Sequence, residues 1–166
     1  RMRKLAMAPM QLRERVLRLI TREKQRAEAG QPAEIRAKMN SLVDEEIIRA
    51  LYDAAKAGVR IRLAVRGICC LRPGLKGTSD SIEVVSVVDR FLEHSRIFHF
   101  KNGGDEEVYL SSADWMPRNL DKRIDVAFNE VQAKVNQILR RLPKDADPPV
   151  VAKVETNTAP IMWMAL

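Results

Sequence analysis

The chain has 166 residues, 46% of them hydrophobic and 31% charged, which is enough apolar material for one globular domain and too much for a disordered one. With 29 Lys and Arg against 22 Asp and Glu, the net charge is +7 and the pI is near 9.7. That balance favours a polyanionic partner (nucleic acid, anionic lipid, nucleotide or polyphosphate), but the aromatic content of 5% is too low for a surface that stacks bases, so nucleic acid is not expected.

Behind Pro9, a residue tolerated in a first helical turn, Leu12, Val16, Leu19, Ile20 and Ala27 recur at helical spacing, and Gly30 closes the run. This predicts a basic amphipathic helix of about five turns. Residues 34–39 alternate Ile35, Ala37 and Met39 with Glu34, Arg36 and Lys38, the period of a half-buried strand. Asp44 is placed to cap a second helix, with Glu45 and Glu46 where the helix dipole favours acids and Gly58 where a left-handed residue ends it. Ile61, Leu63 and Val65 form the next strand, which stops at Arg66 and Gly67. Strand, helix and strand with short joins make a βαβ unit, so the two strands should be parallel with a right-handed crossover. Ligands sit beyond the carboxyl ends of such strands, which brings Asn40 and Ser41 beside Arg66 and Gly67 on one functional edge.

Cys69 and Cys70 are adjacent, a geometry that disfavours a bridge between them, and they read as reduced core residues of a cytoplasmic protein. Residues 71–80 are a loop by their Pro, Gly, Ser and Thr content. Ile82, Val84, Val85, Val87 and Val88 supply another strand, and residues 89–93 a helical turn. Ile97, Phe98 and Phe100 give a strand that turns at residues 102–105 into Val108, Tyr109 and Leu110. Ile124, Val126 and Phe128 form a last strand before a closing helix marked by Val131, Val135, Ile138, Leu139 and Leu142. From these patterns the domain body runs over residues 1–142, and residues 143–166 read as a linker-like tail without clear period. There is no internal repeat, no apolar run approaching the ~20 residues of a membrane span, no signal-peptide core and no metal-ligand spacing. The opening Arg1-Met2-Arg3-Lys4 looks like an entry partway through a longer protein.

The chemistry concentrates between His94 and Arg123. Imidazole can accept a phosphoryl group or donate a hydrogen bond to one, and guanidinium forks match phosphate oxygens, so His94 with Arg96, Arg118 and Arg123 suits a phosphate site. Arg66 joins them as an arginine at a strand end followed by glycine, and Lys38, Asn40 and Asn119 are further candidates against a background of ordinary surface charge. Asp114 could orient another group or cap a helix. Gly103 and Gly104 could cradle phosphate or simply make a tight hairpin. His99, on an alternating strand, reads as structural.

Four long blocks then carry a family resemblance: residues 38–44 (KMNSLVD), 65–74 (VRGICCLRPG), 90–96 (RFLEHSR) and 108–116 (VYLSSADWM), followed by Arg118, Asn119 and Arg123. In order, over about residues 5–128, they resemble the C-terminal half-domain of polyphosphate kinases of the phospholipase-D-like type. Beyond Phe128 no further block of that pattern is visible. The resemblance implies an α/β sandwich with a mixed, largely parallel central sheet flanked by helices. It implies reversible transfer of the terminal phosphate of ATP to inorganic polyphosphate, with Mg2+ and through a phosphohistidine in the preceding half-domain. On the family's pattern Arg66, His94 and Arg123 line the ATP and phosphate site, and no metal ligand lies in this chain. It further implies dependence on the preceding domains, a homo-oligomer at full length, and a cytoplasmic enzyme, at most peripheral to the inner face of the membrane.

The phospholipase-D pattern of His-x-Lys, four residues and Asp is kept only at His94 and the cation Arg96, with Lys101 in the acid's place. This suits a histidine that assists, and the isolated chain is expected to be inactive. Two rival readings are a phospholipase-D-like phosphodiesterase or nuclease half-domain, which Lys101 disfavours, and a non-catalytic polyanion-binding module with steep salt dependence.

Overall fold

The computed structural model describes residues 5–6, 11–87, 94–120 and 162–165. Its elements are β1 (Leu5–Ala6), α1 (Leu12–Glu28), β2 (Glu34–Met39), α2 (Glu45–Lys56), β3 (Arg60–Val65), β4 (Ile82–Val85), β5 (Arg96–Phe100), β6 (Glu107–Ser111), α3 (Pro117–Leu120) and β7 (Met162–Ala165). The strands form one sheet in the order β1-β7-β6-β5-β2-β3-β4.

Helix α2 begins as its sequence dictates. The Asp44 side chain accepts from the Ile47 N–H at 3.0 Å, satisfying one of the donors a helix start leaves open. Its apolar stripe of Ile47, Ile48, Leu51, Ala54 and Ala55 is buried, as are Leu12, Val16, Leu19 and Ile20 of α1. Both stripes join one core with the alternate residues of the strands: Ile35, Ala37 and Met39; Ile61, Leu63 and Val65; Phe98 and Phe100; and Tyr109. Each large side chain buried in this way contributes about 1.5–3 kcal/mol. Phe98 packs on Trp115 with ring centroids 4.7 Å apart, and Phe100 meets the edge of Tyr109 at 5.9 Å.

The expected βαβ unit is present, with β2 and β3 parallel from the Glu34–Arg60 pair to the Met39–Val65 pair, and β4 extends the parallel set. The sheet is mixed but not largely parallel. The pairs β2–β5, β5–β6, β6–β7 and β7–β1 are antiparallel, and for β5–β6 the cause is local: residues 101–106 return the chain through a tight turn that permits no crossover. In that turn Asn102, Gly103 and Gly104 all have positive φ, the conformation for which glycine is suited. Among the described residues α1 and α2 cover one face of the sheet; the other carries Arg36, Lys38, Arg62, Ile97 and His99 around an open groove.

Three further expectations change. β4 ends at Val85, and Val87 is exposed. Cys69 is half-buried and Cys70 exposed, because both follow β3 in an irregular segment at the sheet's rim. The linker-like tail is corrected at its end: Met162–Ala165 pairs with β6 from Val108–Ala165 to Ser111–Met162, an apolar stretch that finds its partner on a sheet edge. The strand expected at 124–128, the closing helix, the turn at 89–93 and residues 143–161 lie outside the described residues.

Candidate functional site

Antiparallel pairing of β5 with β2 brings the start of β5 to the carboxyl ends of β2 and β3. Antiparallel β6 then finishes at the same edge, with Ser111 opposite Arg96. Asn40, Arg66, His94, Asp114 and Arg118 therefore all fall at one end of the sheet, and the expected adjacency of Asn40–Ser41 with Arg66–Gly67 holds. The Arg66 N–H donates to the Met39 carbonyl at 3.3 Å, and the Gly67 N–H to the Asn40 carbonyl at 2.8 Å. A Cβ at Gly67 would stand 2.9 Å from that same carbonyl oxygen, so glycine is what lets the two loops close on each other.

Trp115 and Leu42 lock the floor of this edge. Leu42 bridges both Cys69 and Trp115, and the Trp115 carbonyl accepts from the N–H groups of Val43 and Asp44 at 2.9 and 3.0 Å.

Asp114 is the hub. Its Oδ1 accepts the Asn40 N–H at 2.7 Å and the Ser41 N–H at 3.3 Å. Arg96 grips the same carboxylate with a side-on fork, Nε to Oδ1 at 3.1 Å and Nη2 to Oδ2 at 2.9 Å, and both side chains are buried. Burial pushes the Asp114 carboxyl up, but the Arg96 hydrogen bonds, the Asn40 amide and the guanidinium charge outweigh it and hold the pKa below the ordinary value. The remaining Arg96 nitrogen, Nη1, contacts His94 twice, at the backbone carbonyl (2.7 Å) and at ring Nδ1 (2.6 Å). His94 itself is exposed. Among the described residues the Asp114 carboxylate engages Arg96 and the amides of Asn40 and Ser41, the contacts of an acid that positions an arginine and a loop.

Other candidates divide. Lys38 Nζ donates to Ser95 Oγ at 2.8 Å, tying the end of β2 to the residue beside His94. The Asn119 side chain donates to the Asp114 carbonyl at 3.4 Å and so braces the hub from below. Arg118 is exposed on α3. Arg66 is half-buried, and among the described residues its guanidinium has no partner. The arginines of α1 differ in this respect. Arg13 pairs with Asp44 and Glu46, Arg18 with Glu14, Arg22 with Glu107 and Arg26 with Gln31, while Arg15 lies over the Tyr109 ring. Three of the helix's five arginines are thus paired with carboxylates, while Arg26 meets an uncharged amide and Arg15 an aromatic ring. Arg123 lies outside the described residues.

Gly103 and Gly104 sit at the opposite end of the sheet, where Lys101 N–H bonds Glu34 at the start of β2, so they do not cradle a ligand at this edge. Lys101 and His99 both engage Glu106, His99 Nε2 at 2.9 Å, and the Lys101 and His99 hydrogen bonds hold the Glu106 carboxyl down at about 2. His99 thus lies away from the edge that carries Arg66 and His94.

The family described as Polyphosphate kinase C-terminal domain 2 matches residues 5–157, well past Phe128, where the visible blocks stop. The chain belongs to this polyphosphate kinase domain family. The chain is 55% identical over 139 residues to a polyphosphate kinase of Rhodopirellula baltica, covering 84% of this chain and 16% of that protein. To a polyphosphate kinase of Pseudomonas aeruginosa it is 55% identical over 147 residues, 89% of this chain and 21% of the relative. The crystal structure of polyphosphate kinase from Porphyromonas gingivalis matches with a TM-score of 0.69 at 41% identity, over 81% of this chain and 23% of that one. The polyphosphate kinase domain described here thus spans about a fifth of the length of these relatives. Among its described residues no helix is long and apolar enough to cross a membrane, and no group of three His, Cys, Asp or Glu side chains could hold a metal ion.

Proposed function

We propose that this domain forms the C-terminal half of the active site of an ATP:polyphosphate phosphotransferase, which moves the terminal phosphate of ATP reversibly onto inorganic polyphosphate. Family membership supports the activity. The observation that carries the site is Arg66, a half-buried guanidinium at the carboxyl edge with no partner among the described residues, in a chain whose basic-helix arginines are engaged internally.

In this reading Arg66 and Arg123 hold phosphate oxygens and spread their charge while the bond from phosphorus to the leaving oxygen breaks and the bond to the acceptor forms. Catalysis of that kind is chiefly positioning and electrostatics. His94 binds the phosphoryl group, and the covalent histidine stands in the preceding half-domain. Magnesium would enter with the nucleotide, as the family resemblance implies. The full-length enzyme would be a cytoplasmic homo-oligomer.

The test has two arms. The isolated chain, incubated with labelled ATP and magnesium, should bind but turn nothing over, and stable acid-labile phosphorylation of it would defeat the reading. Arg66→Ala or Arg123→Ala should each weaken polyphosphate binding by roughly 1.5–3 kcal/mol, the scale of charge-assisted hydrogen bonds. Unchanged affinity in both variants would remove the site from this edge.

A further inference from the structure

We infer that Arg96, fastened by Asp114, fixes the tautomer of His94, so that the ring presents an Nε2–H donor to the ligand and keeps no free lone pair with which to attack phosphorus. The inference rests on the phosphate-site reading for what the donor meets, and on contacts within this chain for the tautomer itself.

A guanidinium has five N–H groups and no acceptor. Its Nη1 stands 2.6 Å from His94 Nδ1, so Nδ1 can only accept. In a neutral imidazole the proton then belongs to Nε2, which becomes a donor with no in-plane lone pair. Arg96 cannot swing away to release the ring. Two of its nitrogens are held by the buried Asp114 carboxylate, and the second hydrogen of Nη1 is engaged by the His94 carbonyl at 2.7 Å. Backbone and ring of His94 are thus gripped by one nitrogen, whose orientation is set by a carboxylate that also holds Asn40 and Ser41.

A histidine that is to accept a phosphoryl group at Nε2 needs the opposite arrangement, an Nδ1–H donating to an acceptor, so that Nε2 carries the lone pair. A carboxylate touching Nδ1 directly would supply it. Here an arginine is interposed between acid and ring, which inverts the polarity. His94 is built to bind the transferring phosphate and not to carry it, and Arg96 and Asp114 are its positioning residues.

The chain has two histidines, so tautomers can be read one at a time. With 15N-labelled imidazoles, long-range 1H–15N correlation spectra are recorded at a pH where the rings are neutral, and a His99→Gln variant assigns His94. A free histidine already prefers Nε2–H by a modest margin, so the readout is the completeness of the preference. His94 should show Nε2–H alone, and Arg96→Gln should return it to the mixture of an unconstrained ring. Asp114→Asn, which loosens the fork but keeps the arginine, should give an intermediate population. A mixture or an Nδ1–H ring in the unaltered chain overturns the inference without any variant, so misfolding of Arg96→Gln cannot shelter it. Inorganic tripolyphosphate is then added. A shift of the His94 Nε2 resonance supports the donor's role toward phosphate. A fixed tautomer with no shift would refute the phosphate role of the donor and count against the phosphate site, while leaving the tautomer assignment standing; a shift with a mixed tautomer would do the reverse.

Discussion

Glu23 offers the severest test of the packing described above. It lies on α1 with no exposed surface, and its carboxylate serves two backbone donors from different parts of the chain: Asn102 N–H at 2.8 Å and Glu34 N–H at 3.2 Å. Replacing it by Ala leaves both donors buried without an acceptor, at about 1–3 kcal/mol each, while relieving the cost of a buried charge. The net loss should be about 2–4 kcal/mol. With a urea m-value of about 1–3 kcal/mol per molar, the unfolding midpoint should fall by roughly 1–2 M. Tryptophan fluorescence is the assay, since Trp115 is fully buried. Glu23→Gln should lose less, because its carbonyl can still serve one donor. Burial pushes the Glu23 pKa above its usual 4.5, against the Asn102 and Glu34 hydrogen bonds, which lower it. The folded state therefore holds this proton more tightly than the unfolded one. The resulting contribution is fully present below about 4.5, the unfolded value, and is lost as pH rises through the higher folded value. The unaltered chain should accordingly gain on Glu23→Gln as pH falls from neutral through that window. A midpoint within 0.5 M of the original for Glu23→Ala, or a pH-independent difference for Glu23→Gln, would refute the argument.

Asp114→Ala should cost about 3–5 kcal/mol in the same assay because it strands the buried Arg96 charge; the double change Asp114→Ala with Arg96→Met should cost less than the sum of the single changes. Additive single effects would show that the pair is not coupled. Gly67→Ala forces the Asn40 carbonyl to move, so it should destabilise by about 1–3 kcal/mol and speed amide exchange at position 67 more than at Leu63, in the middle of β3. Equal exchange at the two positions would show that the loops tolerate separation.

The elements that were legible from sequence are those with strong local period or punctuation. The Asp44 cap, the stripes of α1 and α2 and the alternation in β2 and β3 are decided within a few residues, and the structure keeps them. Sheet sense was less legible. A βαβ unit announces parallel pairing, but the antiparallel partners β5, β6 and β7 are chosen by a turn and by open edges, which leave little trace in composition. At the site, the position of Arg66 beside Asn40 followed from topology alone. The fork between Arg96 and Asp114 did not, because those residues stand 18 apart and meet only through the register of a hairpin. Pairing Ile97 with Leu110 in that hairpin was the available signal: it sets Arg96 opposite Ser111 and leaves Asp114 three residues beyond. Lys101 looked like a substitution within a catalytic motif, yet it stands at the far end of the sheet, answering Glu106.

The grip of Asp114 on Asn40 and Ser41 reaches across 74 and 73 residues of chain, and both amides belong to a loop made long before their acceptor. A growing polypeptide that has emerged through α2 and β3 can already bury most of the first helical layer, but the loop after β2 has no carboxylate to close on until residue 114 leaves the ribosome. Folding of the scaffold and assembly of the ligand edge are therefore separated in time during synthesis. In that interval the nascent domain carries a core still lacking Phe98, Phe100, Tyr109 and Trp115, and an open mouth, both of which close when the hairpin of β5 and β6 docks.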